Sequence, residues 1–573
     1  MRQSLGLLLT LVLSAACGRS TILGSGTYDP PDACASVANS APAMPTIETP
    51  VSGRIDVIAD QLRIAATPFY DPDGDGYSMS EFEIWSASAD GSISIRAWSA
   101  RFEGASPPTS VTLDDGVFDA IDGALKPWTD YVVRARYRDA GQKPTFISRT
   151  AVCETWSEWS EPRLFRTDDG SSYLFGTDDI RDLYIEIPPD SWAAIDQQAR
   201  PPGCVPFERD YYGGHITFEG ERLEDVGIRS KGGCGSARHL NGKTAFKINL
   251  EWDDPAVPGC PADRRLHGLQ HLTLNNMVQD RSYLHEQLGY SLHAELGVPT
   301  PRVNYMRVHV NGDLWGLYLL QESVDRRFLA RRFESNQGSL YEGTYWCDLI
   351  PANIPPDLVN TYCFSRKFGK GTCSEPSDFE DLADLIWAID GIPAGRFMAE
   401  APLFLELDTF LTMWAIDAQL GHWDGYEFNI INNYRVYLDP ATQRWSLIPT
   451  GIDQTFGSDV NPFAVSGILA QKCLQEAPCA AAFVDKLTLV NDTFQAMNFQ
   501  ARIDELVARI TADVMADPRK EFAFPEFLSR VQSTRDFIET RPARMQAYID
   551  SANARLAAGE SLIAGTPFEP VAD

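Results

Sequence analysis

The stretch QLGHWDGYEFNIINNYRVY, residues 419–437, joins two kinds of secondary structure through a polar loop. Upstream, residues 409–422 (TFLTMWAIDAQLGH) carry apolar side chains at the spacing of an amphipathic helix. Downstream, YRVY is typical of a strand. The loop between them holds one aspartate and three asparagines: Asp424, Asn429, Asn432 and Asn433. The pattern predicts a helix–loop–strand unit that presents several side-chain oxygens.

A second aspartate follows a predicted strand further along the chain. Residues 444–457, RWSLIPTGIDQTFG, indicate a strand, a turn and then Asp453. A carboxylate at a strand end suits a hard divalent cation, and an asparagine supplies such an ion with a neutral oxygen. Either aspartate alone is also a common turn residue. The two together favour a shared site.

The spacing of His422, Asp424 and Asn429 is H-x-D-x-x-x-x-N, as in the catalytic loop of a protein kinase. Phosphoryl transfer requires mainly placement and charge neutralisation, so basic residues for the phosphates should accompany these groups. Residues 226–252, VGIRSKGGCGSARHLNGKTAFKINLEW, offer a glycine-rich turn and three lysines: Lys231, Lys243 and Lys247. The alternative is a glycine hairpin flanked by solvated lysines.

A kinase site also needs an acidic residue on a helix, which holds the phosphate-binding lysine in place. Glu286 lies in QDRSYLHEQLGY, residues 279–290, and would orient a phosphate-binding lysine through an ion pair. A lone glutamate on an amphipathic helix normally faces solvent, so its interpretation depends on the other motifs.

Several long segments carry a family resemblance. GIRSKGGCGS…KTAFKINL, LHGLQHLTLNNMVQDRSYLHEQLGYSLHAELGVPTPRVNYMRVHVNGDLWGLYLLQESVDRRFL, LYEG, GHWDGY…NNYRVY and IPTGIDQTFG resemble the CotH family, the spore-coat protein H type of secreted protein kinase, over roughly residues 180–550. The resemblance implies an α+β, two-lobed, atypical kinase fold, ATP with Mg²⁺ or Mn²⁺, and phosphorylation of Ser or Thr on exported proteins.

The resemblance also implies roles for individual residues. Asp424 would be the catalytic aspartate, and Asp453 would hold the metal with Asn433, Asn429 or Asn432. Lys243 and Lys247 would be the lysines on the phosphate side, with Glu286 as their helix partner, and Lys231 beside the glycines is a further candidate for ATP binding. Independently of the resemblance, Lys247 alternates with the apolar Phe246 and Ile248, so it is expected to point away from the core. Gln321 and Glu322, in YLLQESVD (residues 318–325), would border adenine near the interlobe segment. Two positions depart from the expected pattern, since Thr450 replaces an aromatic residue and His285 an arginine.

The region of residues 45–167 predicts an all-β sandwich of short alternating strands. LKPWTDYVVRAR (residues 125–136, with Tyr131 at the corner) and WSEWSEP (residues 156–162) resemble fibronectin type III signatures. The tryptophans imply either receptor-like ligand binding or a structural stack with arginines. DPDGDG, residues 71–76, fails as an EF-hand because position 12 is Phe82, which leaves a calcium-stabilised turn or a plain acidic turn.

The N-terminus predicts export. Residues 1–17 combine Arg2, an apolar run and small residues before Cys17, as in a lipoprotein signal, and Cys17 is the predicted lipidation site. Ser14 stands where such signals usually carry leucine, so cleavage by an ordinary signal peptidase is the alternative. Residues 18–44 suggest a flexible linker, residues 168–555 the kinase-like domain and residues 556–573 a tail. A lipidated chain would be anchored to a membrane but otherwise soluble.

Ten further cysteines in an exported chain predict disulfides, with Cys347/Cys363 and Cys473/Cys479 close enough in sequence to pair. Zinc is the alternative for these cysteines, but no C-x-x-C spacing supports it. The net charge of −30 argues against nucleic acid and anionic membrane surfaces as partners.

Three functions follow from these patterns. The first is an exported protein kinase that uses ATP on an exported protein substrate. The second is an inactive, kinase-like adhesion or scaffold protein that binds partners through both regions. The third is a calcium-dependent matrix protein, suggested by DPDGDG and the acidic composition.

Overall fold

The computed structural model describes residues 39–87, 93–119, 124–141, 152–176, 178–199, 207, 209–252, 264–354, 363–368 and 379–563. The predicted signal peptide, Cys17, most of the 18–44 linker and the end of the tail lie outside these residues. The chain divides into two compact units, one drawn mainly from residues up to 166 and one mainly from residue 167 onward. Each is described by itself.

The first unit is all-β. Its strands are β1 (Ile47–Thr49), β2 (Arg54–Ile58), β3 (Arg63–Ala66), β4 (Tyr77–Ala87), β5 (Ile93–Glu103), β6 (Ser110–Thr112), β7 (Val117–Phe118), β8 (Asp130–Asp139) and β9 (Arg163–Asp168). They form a three-stranded sheet of order β1-β3-β6 and a six-stranded sheet of order β2-β9-β8-β4-β5-β7. The sequence predicted short alternating strands over residues 45–167, and the strands of this unit confirm that prediction. The fibronectin type III assignment stays a prediction.

The WSEWSEP segment forms a cation–π stack with arginines of β8. The Arg134 guanidinium lies 4.4 Å from the Trp159 ring centroid, and Arg136 lies 4.4 Å from Trp159 and 4.3 Å from Trp156. Arg138 continues the series at 5.5 Å from Trp156. Each contact of this type is worth about 0.5–1 kcal/mol at partly exposed sites. The predicted structural stack is therefore present.

The DPDGDG turn brings three carboxylates together. Asp71, Asp73 and Asp75 each place an oxygen within 4.8 Å of the others. Asp71 Oδ1 also accepts hydrogen bonds from the backbone N–H groups of Asp73 (2.8 Å) and Asp75 (3.1 Å). An aspartate that closes its own turn in this way is a common structural device. Calcium binding here stays a prediction.

The second unit begins with a closed barrel. Its strands are β10 (Arg181–Glu186), β11 (Tyr212–Phe218), β12 (Glu221–Lys231), β13 (Ala245–Asn249), β14 (His271–Asn275), β15 (Val303–Val310) and β16 (Asp313–Glu322). Helices in this part are α1 (Ser172–Phe175), α2 (Pro189–Gln197) and α3 (His285–Glu295). The barrel order is β10-β11-β12-β13-β14-β16-β15. Apolar residues of alternate positions, such as Ile228, Phe246 and Leu272, fill its interior.

Alternation along these strands turns the intervening residues away from the barrel interior. The sequence predicted this for Lys247, which lies between the buried Phe246 and Ile248. The prediction is confirmed, because both neighbours belong to the barrel core and Lys247 lines a cavity outside it.

The remainder of the unit contains a small sheet and a helical region. Its elements are α4 (Arg326–Arg332), β17 (Leu340–Gly343), β18 (Phe364–Phe368), α5 (Glu380–Gly391), α6 (Phe397–Glu400), α7 (Leu407–Leu420), β19 (Tyr434–Asp439), β20 (Arg444–Pro449), α8 (Ile468–Leu474), α9 (Ala477–Ala496), α10 (Phe499–Ala516) and α11 (Phe524–Ala557). The sheet order is β18-β17-β19-β20. A second apolar core joins α3, α5 and α7 to the last four helices.

Several predictions of elements and links are confirmed in this region. The amphipathic patterns of residues 282–297 and 409–422 form α3 and α7. Both predicted disulfides are present, Cys347–Cys363 and Cys473–Cys479. Among the described residues, none of the helices has the length and apolar character needed to span a membrane.

Candidate functional site

A cavity of about 560 Å³ lies against the outer face of the barrel. The outward-facing residues of β12, β13, β14 and β16 form one wall. The opposite wall comes from the loop after α7, the turn after β20 and the sheet that contains β17, β18 and β19. The predicted residues that line it are Lys231, Lys247, Glu286, Gln321, Glu322, Asp424, Asn432, Asn433 and Asp453. Segments separated by more than 200 residues in sequence thus meet at one site.

The barrel wall presents a cross-strand row of polar residues. Arg229 pairs with Lys247, Lys247 pairs with Thr273, and Thr273 pairs with Gln321. Because paired residues on neighbouring strands face the same side, all four point toward the cavity. Lys231 lies two residues beyond Arg229 and therefore shares this face.

Asp424 reaches the cavity because α7 ends abruptly. Gly421 adopts the left-handed conformation (φ +71°) that terminates helices, and an added Cβ there would collide with the Ser458 carbonyl. The chain then turns so that Asp424, only 5% exposed, faces the cavity wall. Asn433 Nδ2 donates a 2.9 Å hydrogen bond to Asp424 Oδ2. The predicted aspartate and asparagine are thus direct neighbours.

Asp453 comes from the turn after β20. Gly451 has φ +60°, and a side chain at this position would collide with the carboxamide of Asn433. A glycine here therefore lets the Asp453 turn approach Asn433 closely. The His285 ring donates from Nδ1 to the Asp453 carbonyl at 2.8 Å, which ties α3 to the same turn. His285 stands where the family pattern has arginine, and it still provides a hydrogen bond between α3 and the Asp453 turn.

A buried arginine of α11 fixes the end of α7. Arg541 donates from Nη2 to the Ala418 carbonyl (2.6 Å) and from Nε to the Gln419 carbonyl (3.1 Å). It also donates to the Val460 carbonyl at 2.9 Å. Carbonyls in the last turn of a helix lack partners within the helix, so this guanidinium satisfies two of them next to the Asp424 loop.

His422 links Asp424 to a buried carboxylate. Its Nδ1 lies 3.1 Å from Asp417 Oδ1, and its Nε2 lies 3.4 Å from Asp424 Oδ1. Burial favours the neutral ring, but the Asp417 charge outweighs that effect and raises the pKa of His422 to about 9. At neutral pH the ring is therefore an imidazolium beside Asp424.

Lys231 belongs to a hydrogen-bonded chain that ends on α3. Lys231 Nζ donates to Asn275 Oδ1, and Asn275 Nδ2 donates to both Glu286 oxygens at 2.9 and 3.1 Å. Gln321 joins the chain by accepting from Asn275 at 3.1 Å and donating to the Tyr290 hydroxyl at 2.9 Å. Glu286 is 4% exposed, so it does not face solvent. Glu286 was expected to partner Lys243 or Lys247, but the lysine connected to it, through Asn275, is Lys231.

The carboxylates Asp424, Asp453 and Glu286, called the carboxylate group below, carry unfavourable charge. Burial and then the Asp424 charge raise the pKa of Asp453 to about 6, while Lys231 opposes the rise. Burial and the Asp453 charge raise the pKa of Glu286 to about 8. Burial also raises the pKa of Asp424. Like-charged carboxylates in one buried site favour a bound cation.

The residues present fit a divalent metal ion. Asp424 Oδ1 is buried, and among the described residues it accepts no hydrogen bond, although the His422 ring lies 3.4 Å away. Asp453 and the Asn433 carbonyl oxygen provide further hard ligands, which Mg²⁺ and Mn²⁺ prefer. Asn432, 8% exposed, lines the same cavity.

Three predicted residues do not contribute as expected. Lys243 is fully buried and bonds Asp517 Oδ2 at 2.6 Å, so it is a structural ion pair and does not line the cavity. Asn429 is exposed and also lies outside the cavity lining, because the chain turns before Asn432. Glu322 lines the cavity, but Arg302 (2.8 Å) and Arg331 occupy its two oxygens, which leaves the carboxylate unavailable to an adenine.

The cavity also contains charged residues that the sequence reasoning missed. They are Arg209, Arg229, Glu342, Lys367 and Arg435, and Asn275 is a further polar residue of this kind. Asn275 and Thr273 alternate with buried leucines in HLTLN, so a period-two pattern placed them on the outer face. No local signal identifies Glu342, Lys367 or Arg435, because their significance depends on the pairing of β17 with β18 and β19.

Comparison with known proteins supports one family. The family model described as "CotH kinase protein" matches residues 228–545, more than half of the chain. The chain is also 24% identical over 298 residues to "Inner spore coat protein H" of Bacillus subtilis (strain 168), covering 50% of this chain and 80% of that relative. The matched residues span the cavity from Arg229 to Asp453. This chain belongs to the CotH kinase protein family.

Proposed function

We propose that this protein is an exported protein kinase that transfers the γ-phosphate of ATP to Ser or Thr hydroxyls of secreted or surface proteins. The observation that carries the proposal is the meeting of Asp424, Asn433 and Asp453 with Lys231 in one cavity. These residue types cover the needs of phosphoryl transfer, which are placement and neutralisation of charge.

Each residue has a distinct role in this proposal. Asp424 orients the acceptor hydroxyl and accepts its proton, while Asn433 holds the Asp424 carboxylate through their 2.9 Å hydrogen bond. Asp453 and the Asn433 oxygen hold Mg²⁺ or Mn²⁺, which neutralises phosphate oxygens when bound. Lys231 donates to the phosphates, and Asn275 and Glu286 fix the position of its amine.

Export and anchoring are part of the proposal. The N-terminal pattern supports secretion and lipidation at Cys17, and the two disulfides suit an oxidising compartment. The named relative is a spore coat protein, which agrees with a surface location. A lipid-anchored kinase would meet exported proteins as substrates.

The first unit would supply a fibronectin type III-like module in the same chain as the kinase. Its two sheets, of three and six strands, support that assignment. Tyr131 is 4% exposed at the start of β8, where the signature places the corner tyrosine. The arginine–tryptophan stack has a packing role, so this unit needs no ligand of its own to explain WSEWSEP.

Nucleotide binding distinguishes the kinase from an adhesion protein. We expect ATP with Mg²⁺ or Mn²⁺ to stabilise the purified full chain, by about 2.7 kcal/mol at a hundredfold excess over Kd. Labelled ATP should also transfer phosphate to the chain or to an acidic test protein, and EDTA should abolish transfer. Absence of both stabilisation and transfer at millimolar nucleotide would instead support the adhesion function.

Replacing Lys231 with methionine tests which lysine contacts ATP. We expect kcat/KM to fall about 10²-fold, because one preorganised cation at the phosphates is lost. The fold should persist, since methionine retains the apolar stem and only the amine is removed. Initial rates at several ATP concentrations measure the effect, with Lys486→Met on α9 as a control lysine outside the cavity. Unchanged kinetics would exclude Lys231.

A further inference from the structure

A second set of charged residues lines the same cavity and has no role in the proposed transfer. Arg229 and Lys247 come from the barrel wall, where they are direct cross-strand neighbours. Lys367 and Arg435 come from β18 and β19 and lie on either side of Glu342 on β17. Together the four basic residues and Glu342 are called the cationic group below.

Glu342 holds two of the four basic side chains. Arg435 Nη2 lies 2.9 Å from one Glu342 oxygen, and Lys367 Nζ lies 2.6 Å from the other. Burial opposes ionisation of Glu342, but the charges of Arg435 and Lys367 outweigh it and lower its pKa. One carboxylate therefore faces four basic side chains, which leaves an excess of positive charge in this part of the cavity.

The excess charge is not solvated like an ordinary surface patch. Arg229 Nε and Arg435 Nε are both buried, and neither has a hydrogen-bond acceptor within the described part of the chain. Lys247 is exposed to an intermediate degree and has no ion pair there. Buried donors without acceptors are costly, and a site keeps them most readily when a ligand supplies the acceptors.

The pKa of Lys247 also indicates that positive charge in this part of the cavity is not fully balanced. Burial, followed by the positive charges of Arg435 and Arg229, lowers the pKa of Lys247 to about 7. Lys367 acts in the same direction, and Glu342 opposes it. Thr273, the neighbour of Lys247 on β14, does not titrate. The lysine amine thus lies among cations whose repulsion an anion would relieve.

We propose that the cationic group is an oxyanion site that binds a phosphate group directly, without a metal ion. Guanidinium and ammonium donors match phosphate oxygens in charge and geometry. The carboxylate group of the same cavity has the opposite charge and binds phosphate only through a cation. The cavity therefore accepts phosphate by two means, one dependent on metal and one independent of it.

The proposal goes beyond the proposed function, since it requires an oxyanion and no transfer reaction. The bound phosphate has two possible sources, the phosphates of a nucleotide or a phosphorylated protein side chain. Pyrophosphate represents the shared chemistry, and ADP and phosphoserine represent the two sources. Adenosine, which lacks phosphate, serves as the negative probe.

The test is calorimetric titration of the full chain at pH 7 in the presence of EDTA. We expect saturable binding of pyrophosphate and none of adenosine. Lys247→Met should weaken pyrophosphate binding about tenfold or more, because a charge-assisted hydrogen bond is lost. Asp453→Asn removes the metal ligand and a negative charge from the same cavity, so it should not weaken metal-free binding, and failure of the metal site and failure of this site are separable. Comparison of ADP with phosphoserine identifies the source.

Matched variants keep the result interpretable. Lys486→Met, outside the cavity, should bind pyrophosphate as the wild type does. Arg229→Gln provides a second test at the site if Lys247→Met does not fold. Sulfate, which does not titrate near neutrality, should stabilise the wild type more at pH 6 than at pH 9, because Lys247 loses its proton as pH rises through about 7. Lys247→Met should reduce this difference.

Two results would overturn the proposal. The first is the absence of pyrophosphate binding without metal, which would reduce the cationic group to an internal ion-pair network around Glu342. The second is unchanged pyrophosphate affinity in both Lys247→Met and Arg229→Gln, which would place the bound anion elsewhere.

Discussion

Replacing Asp453 with asparagine is expected to lower phosphate transfer by about 10³-fold or more while the protein stays folded. The carboxylate is a hard anionic ligand for the divalent cation, and a neutral amide of the same size cannot replace its charge. Losses of this order are typical when a group that acts in the transition state is removed. Initial rates with labelled ATP, over a range of Mn²⁺ concentrations, measure the effect.

The same substitution, Asp453→Asn, should increase the free energy of unfolding. The pKa of Asp453 is raised to about 6 in the folded protein, above the usual value near 3.9. This residue therefore favours folding below about pH 4, and that contribution is lost as pH rises through 6. At pH 7 without metal, Asp453→Asn should be more stable than the wild type by about 1–3 kcal/mol.

Asn429 provides the matched control for Asp453. It was predicted as a metal ligand but is exposed and outside the cavity lining, so Asn429→Ala should retain wild-type transfer. Transfer that survives Asp453→Asn would refute the metal assignment. A variant that loses both activity and its melting transition would show that Asp453 supports the fold instead.

Breaking the buried Lys243–Asp517 pair should produce the largest loss of stability. Both side chains are fully buried, with Nζ and Oδ2 at 2.6 Å. Among the described residues, Asp517→Ala leaves the Lys243 ammonium with the Tyr283 hydroxyl at 2.9 Å and with the rings of Tyr283 and Tyr318, but with no carboxylate. Removing one member of such a pair typically costs about 3–5 kcal/mol. Urea unfolding followed by tryptophan fluorescence measures the change.

The loss of stability should differ between the two single variants, Lys243→Met and Asp517→Ala. In Lys243→Met, Asp517 still accepts from the backbone N–H groups of Leu317 (3.2 Å) and Arg519 (2.8 Å), so the loss should be smaller than for Asp517→Ala. The double variant Lys243→Met/Asp517→Leu should recover part of the loss, because no isolated charge remains. A double variant less stable than both single ones would contradict this account. Because Lys243 lies outside the cavity lining, we expect any loss of activity in Lys243→Met to follow from its lower stability and not from a missing ATP contact.

Local patterns predicted the elements that carry the site. The 3.6-residue period defined α3 and α7, and the two-residue period placed Lys247 outside the barrel core. The polar loop after α7 and the turn after β20 were likewise visible as breaks in these periods. The meeting of Asp424 with Asp453 was inferred from the two carboxylates and the intervening asparagines, and then from family resemblance, and the cavity contains both.

Long-range pairing accounts for what the sequence did not reveal. Lys243 and Lys247 lie four residues apart in one predicted strand region, yet Lys243 faces Asp517 and Lys247 faces the cavity. Nothing near Lys243 in sequence indicates a partner 274 residues away. The intervening role of Asn275 was missed for a related reason, since its partners lie on β12, α3 and β16.

The contact between Arg541 and the end of α7 has a consequence for the order in which this unit is assembled. The guanidinium that donates to the Ala418 and Gln419 carbonyls belongs to α11, and Arg541 lies more than 100 residues after Asp424. A ribosome therefore makes the Asp424 loop well before this donor, and until then the Ala418 carbonyl has the Gly421 N–H, at 3.1 Å, as its partner. The loop that carries Asp424 reaches its described hydrogen bonding only after α11 has been synthesised and has packed against α7.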